Sequence, residues 1–484
     1  MAAPKGNVDM PFIFTDGLHK AGSDKRKLIR QHVMVGKNRG KSRKGNTKTS
    51  RQDLGSSMPY SDGPSAIVFK MRYPSIPNKV GNELSFSKFA APVEPVLLQE
   101  MLSFCFMAKR IMYPLADYID FHKNDKIDTL WFDLLTYDAA YLHSVVFLCQ
   151  SYSSLVSGSQ TSSSACREMV HYSEALRLLR ERISGQTQER ETWDSTILVV
   201  LYLATHAHLV GDITSAKHHI QGLRKMVDLK GGIYALGYNP KLIIELMKCD
   251  LAMAVNYGIE PVFFGDPSLE PLIPYDLAPP ISETSSGIGA SPQPVGSSIC
   301  CTDLQQAWTV MIRFCSAINY AVKRGRRLPK EVLLSNMGSV MYRVVRIKHE
   351  LNPVDGIIRL GLLAFFSHVL LRVRNVPSPH TYLPNLYRDR LLDLPPGQIP
   401  LLSLVWLLMV GHISLFTPAD DHWLLSWLRG CLTRLEVNNW DELRDKLKGL
   451  LWIDALHDKP GKAIFDTVYR VSGPRVFNSR LRNG

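Results

Sequence analysis

The segment that decides the fold is residues 211–237, with the sequence GDITSAKHHIQGLRKMVDLKGGIYALG. Asp212 is placed to accept a hydrogen bond from the first helical turn, and Gly231 and Gly232 are placed to end the helix. The pattern therefore predicts an amphipathic helix over residues 212–230. Its apolar face recurs at steps of three and four residues and consists of Ile213, Ala216, Ile220, Leu223 and Val227.

The preceding stretch, residues 192–210, is apolar on nearly every side, as expected of a helix buried in the protein core. Only Gly211 and Asp212 separate it from the amphipathic helix. Such a short connection predicts that the two helices form an antiparallel hairpin.

The same helical periodicity continues along the chain, and no segment alternates between apolar and polar residues with hairpin turns. The helix lengths vary without a fixed repeat. The sequence therefore predicts an all-α fold, an irregular multi-helix bundle. Besides 192–210 and 212–230, the predicted helices are 94–122, 137–157, 165–184, 240–257, 302–323, 330–351, 355–374, 382–392, 398–416, 419–434, 439–454 and 460–470.

The domain organisation depends on a segment rich in Pro, Ser and Gly that interrupts the helical pattern. This segment is either a long loop within one body or a seam between two lobes, and the sequence leaves open whether there is one core or two. The predicted parts are a basic, mostly disordered N-terminal arm at 1–65, a first helical lobe at 66–259, the loop at 260–300, a second lobe at 301–472 and a basic tail at 473–484.

Two predicted helical stretches approach the length of a membrane span, 356–373 and 400–416. Both are interrupted by polar or charged residues, so we interpret them as buried core helices and predict no membrane association. Residues 1–22 lack the apolar run of a secretory signal.

The net charge of the chain, +13, is concentrated in the arm. Between Lys20 and Arg51 there are 12 basic residues and one acidic residue, Asp24, which is a local net charge of +11. Removing these from the totals of 57 and 44 leaves 45 basic and 43 acidic residues, a net charge of only +2. The rest of the chain is thus nearly neutral.

The basic residues of the arm fall into two clusters, a layout like that of a bipartite nuclear import signal, which an importin-type receptor would read. The same charges could contact nucleic acid through its phosphates, with an affinity that depends steeply on salt. A third interpretation is a solvated tail that keeps the protein soluble. The candidate import and nucleic-acid-contact residues are Lys25, Arg26, Lys27, Arg30, Lys37, Arg39, Lys41, Arg43 and Lys44.

The sequence shows no catalytic or metal-binding motif. The eight cysteines include no CxxC pair, and HExxH, the phosphate-binding loop and GxSxG are all missing. We therefore predict no catalytic residues, no metal and no cofactor. An enzyme with its active site between helices remains a further hypothesis, which a convergent set of polar residues in a deep pocket would favour.

Three groups of residues resemble sites, but their patterns favour structural roles. The histidines at 206, 208, 218 and 219 lie near one hairpin but point to different helix faces, so we interpret them as satisfied or surface residues. Asp420, Asp421 and His422 are typical of a solvated helix start. The aromatic residues Trp406, Trp423 and Trp427 are typical of core packing.

The body resembles the fungal-specific transcription factor domain family, a helical regulatory region usually found behind a six-cysteine zinc cluster. The closest similarity is to a filamentous-fungal branch without that cluster. It covers approximately residues 90–470 plus the arm, and the residues that carry it are PFIFT at 11–15, RQHVM at 30–34, EALRLLRERIS at 174–184, AKHHIQGLRKMVDLKGGIYALG at 216–237, WLLMVGHISL at 406–415 and WDELRDKLKGLLWIDALHDKPGKAIFDTV at 440–468.

The resemblance implies an all-α regulatory body in a nuclear regulator, with some relatives associated with secondary-metabolite gene clusters. It does not extend to the zinc cluster, because the first cysteine is Cys105, inside the body. The function predicted is that of a fungal transcription regulator located in the nucleus, with transcriptional partner proteins and DNA contact through the arm. The alternative is a nuclear cofactor or scaffold that acts by protein contacts without binding DNA. The sequence leaves the oligomeric state, target genes, effector and sense of regulation open.

Overall fold

The computed structural model describes residues 88–120, 127–158, 162–185, 193–266, 268, 270–275, 299–347 and 351–470. The arm predicted at 1–65, the tail predicted at 473–484 and most of the loop predicted at 260–300 lie outside these ranges. The described part is almost entirely helical, which confirms the predicted all-α fold class.

Among the described residues, seven helices and one 3₁₀ turn precede the Pro-rich segment. Their order is α1 (Pro95–Met112), α2 (Ile127–Tyr137), α3 (Ala139–Ser157), α4 (Ser162–Ser184), α5 (Trp193–Val210), α6 (Ile213–Leu229), a 3₁₀ turn (Ile233–Leu236) and α7 (Pro240–Tyr257).

The helices after it include two that change locally into π-helix. Their order is α8 (Thr302–Lys323), α9 (Glu331–Asn336) leading through a π turn (Met337–Met341) into α10 (Tyr342–Arg346), α11 (Pro353–Phe366) leading into a π turn (Ser367–Leu371), α12 (Tyr382–Leu392), α13 (Leu401–Ser414), a 3₁₀ turn (Pro418–Asp420), α14 (Asp421–Arg434), α15 (Trp440–Lys448) and α16 (Asp454–Arg470). Two short parallel strands, β1 (Ile119–Asp120) and β2 (Leu328–Pro329), pair with Ile119 opposite Leu328.

The predicted hairpin of α5 and α6 is confirmed. The side chain of Asp212 accepts a hydrogen bond from the Ser215 amide at 3.0 Å, and Gly231 and Gly232 follow the helix with φ of 100° and 90°. Ile213 is exposed because it begins the first turn, but the rest of the predicted apolar face is buried: Ala216, Ile220, Leu223 and Val227.

The helix predicted at 94–122 is too long. It ends at Met112, and Tyr113 takes an extended conformation with φ of −126° and ψ of 112°. Proline disfavours a helical conformation in the residue before it, so Pro114 explains the end. The separate helix α2 that follows was not predicted.

The boundaries predicted near the C-terminus, 439–454 and 460–470, are also wrong. The predicted cap is confirmed, because the Asn439 side chain accepts from the Glu442 amide at 2.9 Å, but α15 stops at Lys448. The next helix begins at Asp454, where the ring of His457 accepts a hydrogen bond from the Ile453 amide at 2.9 Å. Pro460 therefore lies inside α16 instead of opening it.

The described residues before and after the Pro-rich segment share one hydrophobic core. The helix at its centre is α7, which contacts α5 and α6 from before the Pro-rich segment and α9, α10, α12 and the π turn after α11 from beyond it. Thirteen of its residues are buried. The question of one core or two, which the sequence left open, is answered for this part of the chain by a single core.

In the described part of the chain, two helical stretches are long and apolar enough to span a membrane by length and composition, Trp193–Val210 and Pro353–Leu371. Within the protein, 56% and 72% of their residues are buried. Packing against neighbouring helices accounts for their apolar character.

Candidate functional site

The candidate residues of the basic arm lie outside the described residues, so their role in import or nucleic-acid contact stays a prediction. They are Lys25, Arg26, Lys27, Arg30, Lys37, Arg39, Lys41, Arg43 and Lys44.

The histidines of the hairpin have different neighbours, in keeping with their predicted helix faces. His206 Nε2 lies 3.1 Å from Glu168 on α4, whereas His208 Nδ1 lies 3.0 Å from the hydroxyl of Tyr257 on α7. His208 also stacks on His380, with ring centroids 4.4 Å apart. Among the described residues, no group of three or more His, Cys, Asp or Glu side chains is arranged to hold a metal ion.

The acidic residues before α14 stabilise a turn. The Asp420 carboxylate accepts hydrogen bonds from the Thr417 amide at 3.0 Å and from Arg388 Nε at 2.8 Å. Asp421 lies 3.0 Å from His412, and His422 contacts the carbonyl of its own turn. These contacts confirm a helix start, but Asp420 is buried, so the predicted solvated start is wrong for this residue.

The tryptophans behave as packing residues. Trp406 is fully buried, and its indole nitrogen donates to the Leu451 carbonyl at 2.9 Å. Trp423 and Trp427 are partly buried and lie against the same core.

The most developed site among the described residues is an open pocket of about 410 Å³ lined by residues of α1, α2, α3, α5 and α7. This volume is within the range of small-molecule sites. Most of its wall is apolar, and we call it the tyrosine pocket after the three tyrosines that line it, Tyr113, Tyr141 and Tyr202. The apolar lining includes Phe104, Phe106, Ala108, Met112, Phe132, Leu135, Val145, Leu148 and Leu201.

Two hydrogen-bonded pairs form the polar part of this pocket. The hydroxyls of Tyr141 on α3 and Tyr202 on α5 lie 3.3 Å apart. The hydroxyl of Tyr113, just after α1, donates to Glu245 Oε1 on α7 at 2.5 Å. Each pair joins two different helices, so the polar groups converge only in the folded protein.

The thiol and the phenols that line the pocket are held in their protonated forms. Burial raises the pKa of the Cys105 thiol to about 12, although the charge of Lys241 opposes the shift. Burial and the nearby Glu245 carboxylate raise the pKa of Tyr113 well above its ordinary value, and burial does the same for Tyr141. A thiol or phenol reacts as a nucleophile in its ionised form. Because these side chains are protonated at neutral pH, they act there as hydrogen-bonding groups.

A buried lysine lies behind the pocket. Lys248 Nζ lies 4.5 Å from the centre of the Tyr113 ring and donates to the Met112 carbonyl, at the end of α1. Burial lowers the pKa of Lys248 to about 8, and the Glu245 charge opposes this shift. The ammonium therefore keeps most of its charge at neutral pH.

A second group of buried acids anchors the segment after α7. Asp250 accepts hydrogen bonds from the Val262 and Phe263 amides at 2.8 and 3.1 Å and from the Tyr342 hydroxyl at 2.9 Å. Burial raises the pKa of Asp250 to about 6, although these hydrogen bonds oppose the shift. The donors are all held within the fold, so this group fastens α7 to the following segment and to α10.

Glu270 extends the same anchor. It accepts from the Phe264 amide at 2.8 Å, from the Ile233 amide at 3.1 Å and from Arg224 of α6. The carboxylate is buried, and its partners are again groups of the protein. We assign it a structural role.

A second cavity, of about 440 Å³, lies at the C-terminal ends of α3 and α5 and against residues 377–379. Its polar lining is Ser151, Ser154, Ser378 and Glu168. Glu168 is already engaged by His206, so this cavity brings together fewer converging polar groups than the tyrosine pocket.

The sequence patterns did not predict the polar residues of the tyrosine pocket or the two buried charges of α7. For Lys248 and Asp250 a signal existed, since each interrupts an otherwise apolar run in LMKCDLAMAV at 246–255. The tyrosines had no comparable signal, because amphipathic tyrosines are common on partly buried helix faces.

No family model, no curated protein and no solved structure matches the chain. The resemblance to the fungal-specific transcription factor domain family therefore stays a prediction.

Proposed function

We propose that the protein is a nuclear, fungal transcription regulator whose all-α body binds an effector or partner proteins and whose basic arm directs nuclear import and contacts DNA. The resemblance described above suggests a secondary-metabolite gene cluster as the regulated target. The alternative is a nuclear cofactor or scaffold that acts through protein contacts without touching DNA.

The observation that carries this proposal is the separation of charge along the chain. Residues 20–51 hold a net charge of +11, whereas the rest of the chain holds +2. A concentrated basic segment is suited to acidic import receptors and to phosphates. A nearly neutral helical body is suited to contacts with an effector or with partner proteins.

The chemistry of the tyrosine pocket supports binding in preference to covalent catalysis. Polar groups do converge there, as an enzyme would need, but its thiol and phenols are protonated at neutral pH. Protonated hydroxyls in an apolar cavity donate hydrogen bonds and so recognise a ligand.

The experiment that tests the regulatory proposal is chromatin occupancy of the tagged protein in its host, beside a version lacking residues 1–52. Sharp promoter peaks that disappear with the arm support DNA association through the arm. Peaks that survive in a nucleus-targeted truncation support recruitment by a partner, which is the alternative. Absence of enrichment for both versions would contradict the transcriptional proposal.

Nuclear import is tested by substitution of the second basic cluster. Replacing Lys37, Arg39, Lys41, Arg43 and Lys44 with Ala should reduce nuclear accumulation, because the extended basic side chains that a receptor reads are removed. The measurement is the nuclear fraction of a fluorescent fusion.

The matched control for import replaces Arg475, Arg480 and Arg482 with Ala, which removes basic residues outside the arm. This variant should accumulate normally. Unchanged nuclear accumulation of the cluster variant would refute the import role.

DNA contact by the arm is tested by salt dependence. For duplex DNA, the logarithm of the binding constant should fall with the logarithm of salt concentration by about 0.9 for each phosphate neutralised. The same five Ala substitutions should reduce that slope by up to about 4.5. A flat response of the unmodified protein, or no binding at physiological salt, would favour the cofactor or scaffold alternative.

A further inference from the structure

We propose that the tyrosine pocket binds a neutral, mostly apolar small molecule that carries one hydrogen-bond-accepting oxygen, such as that of a ketone. Its hydrocarbon part lies among the apolar lining residues, and its oxygen accepts a hydrogen bond from the hydroxyl pair of Tyr141 and Tyr202. As an effector site, this inference rests on the regulatory function proposed above. The binding itself does not depend on it.

The lining of the pocket defines the hydrocarbon part of the ligand. Val145, Leu148 and Leu201 are buried side chains that face a pocket of about 410 Å³. Two further lining residues, Phe106 and Phe132, have ring centroids 6.4 Å apart, although Phe106 is 75% exposed. A pocket of this size takes one small molecule. A bound hydrocarbon group removes part of the exposed aromatic surface from water, which favours binding.

The charged groups around the pocket favour a neutral ligand, because they are already engaged within the protein. Glu245 accepts the hydrogen bond from Tyr113. Lys109 and Lys241 each interact with another group of the chain. A charged ligand would therefore lose its hydration without gaining an unpaired opposite charge from these lining residues. Burial of an ion in this way is costly, and a neutral ligand avoids that cost.

The tyrosine pair supplies a directional donor for the ligand oxygen. The hydroxyls of Tyr141 and Tyr202 carry two hydrogens, and the hydrogen bond between them uses one. Burial raises the pKa of both phenols, so both hydrogens are retained at neutral pH. The neighbouring hydroxyl of Thr205 already donates to the Leu201 carbonyl at 2.8 Å. The second hydrogen of the tyrosine pair is therefore the hydroxyl donor that these lining residues offer to a bound oxygen.

Neutrality of the ligand is tested by calorimetric titration of the purified full chain with three probes of similar size: benzylacetone, phenylpropionate and phenylbutylamine. The first is a neutral ketone, the second an anion with nearly the same shape, and the third a cation. We expect benzylacetone to bind at least about tenfold more tightly than either ion, because the ions lose their hydration without a new partner. Equal or tighter binding of either ion would overturn the assignment of a neutral ligand.

The hydrogen bond is tested by Tyr141→Phe together with Tyr202→Phe, which removes both partners of the hydroxyl pair and keeps the apolar lining. Benzylacetone should bind about fivefold more weakly to this variant, as expected for the loss of one neutral hydrogen bond. Butylbenzene has no oxygen and should bind at least as tightly as it does to the unmodified protein.

The matched control is Tyr320→Phe on α8, which removes a phenol hydroxyl outside the pocket lining and should change neither affinity. An unchanged affinity of the double Phe variant for benzylacetone would overturn the role of the tyrosine pair. An equal weakening for benzylacetone and butylbenzene would do the same, because it would show a change of shape.

Occupation of the pocket is tested by Ala108→Trp, which adds a large side chain to the lining and should abolish binding of benzylacetone and butylbenzene. Circular dichroism establishes that each variant is folded, and the double Phe variant decides the question if the Trp variant does not fold. Unchanged binding by a folded Trp variant would overturn the inference, because the probes would then lie elsewhere. Failure of both neutral probes to bind the folded, unmodified protein would overturn it as well.

The two proposals fail separately. Loss of the binding inference would leave the chromatin experiment unaffected. Specific binding of the ketone without chromatin enrichment would retain the pocket and reject the regulatory function.

Discussion

At the scale of single residues, the least expected feature is a pair of opposite charges two positions apart on the central helix α7. Lys248 faces the end of α1, whereas Asp250 faces the segment after α7 and Tyr342. A buried charge is costly unless it is hydrogen bonded, and both of these are. They connect α7 to different parts of the protein, which explains why charged residues occur inside an apolar run.

His208 leads to a prediction about pH. Burial and the neighbouring His380 lower the pKa of His208 to about 3, compared with about 6.5 in the unfolded chain. The unfolded state therefore takes up a proton first as the pH falls. The stability that the neutral ring contributes is present above pH 6.5 and is lost progressively below it, by about 1.4 kcal/mol for each pH unit, until the pH approaches 3.

Substitution by a residue that does not titrate should remove this contribution. From pH 7 to pH 5, the free energy of unfolding should fall by about 2 kcal/mol less for His208→Gln than for the unmodified protein. Urea denaturation at both pH values measures this difference. His218→Gln, on the exposed face of α6, is the control and should behave like the unmodified protein. An identical pH dependence for His208→Gln would contradict the prediction.

At the scale of helices, the crossing of α11 and α13 depends on a glycine. A Cβ atom on Gly361 would lie 2.5 Å from Leu407 Cδ2 and 2.8 Å from Trp406 Cζ3. Trp406 is fully buried and hydrogen bonded, so it has little room to move. The close approach of these helices therefore requires the missing side chain.

Two substitutions on the same helix test this close contact. Gly361→Ala should reduce the free energy of unfolding by about 1–3 kcal/mol, because overpacking outweighs the gain in helix propensity. Gly356→Ala should raise it by up to about 1 kcal/mol, because a Cβ there meets nothing within 4 Å. Chemical denaturation of both variants gives the comparison, and stabilisation by Gly361→Ala would show that the helices can separate.

At the scale of the whole molecule, the single core predicts cooperative unfolding. Leu223 on α6 and Leu443 on α15 are both fully buried in that core, although the Pro-rich segment separates them along the chain. Replacing either residue with Ala should cost about 2–5 kcal/mol and should move the same transition.

Far-UV circular dichroism and tryptophan fluorescence should follow one coincident curve for the unmodified protein and for both variants. Two separated steps, with Leu223→Ala moving only one of them, would show that the two halves fold independently.

Local sequence signals determined the all-α class, the α5–α6 hairpin and the caps at Asp212 and Asn439, because helical periodicity and capping depend on residues within a few positions. The signal that ends α1 at Met112 is equally local, because it comes from Pro114, but the sequence prediction continued the helix past it. Pro460 shows the opposite case. Its local signal indicated a helix start, but the contacts of α16 make this helix begin earlier, at Asp454.

The tertiary structure decided the central position of α7, the single core and the tyrosine pocket. The hydroxyls of Tyr141 and Tyr202 are 61 positions apart, and Tyr113 meets Glu245 across 132 positions. Periodicity specifies which face of each helix is apolar, but it does not specify which helices cross or which side chains meet. The pocket exists only because five helices pack around one core. The charge of the arm, in contrast, follows from its residue types alone and needs no tertiary contact.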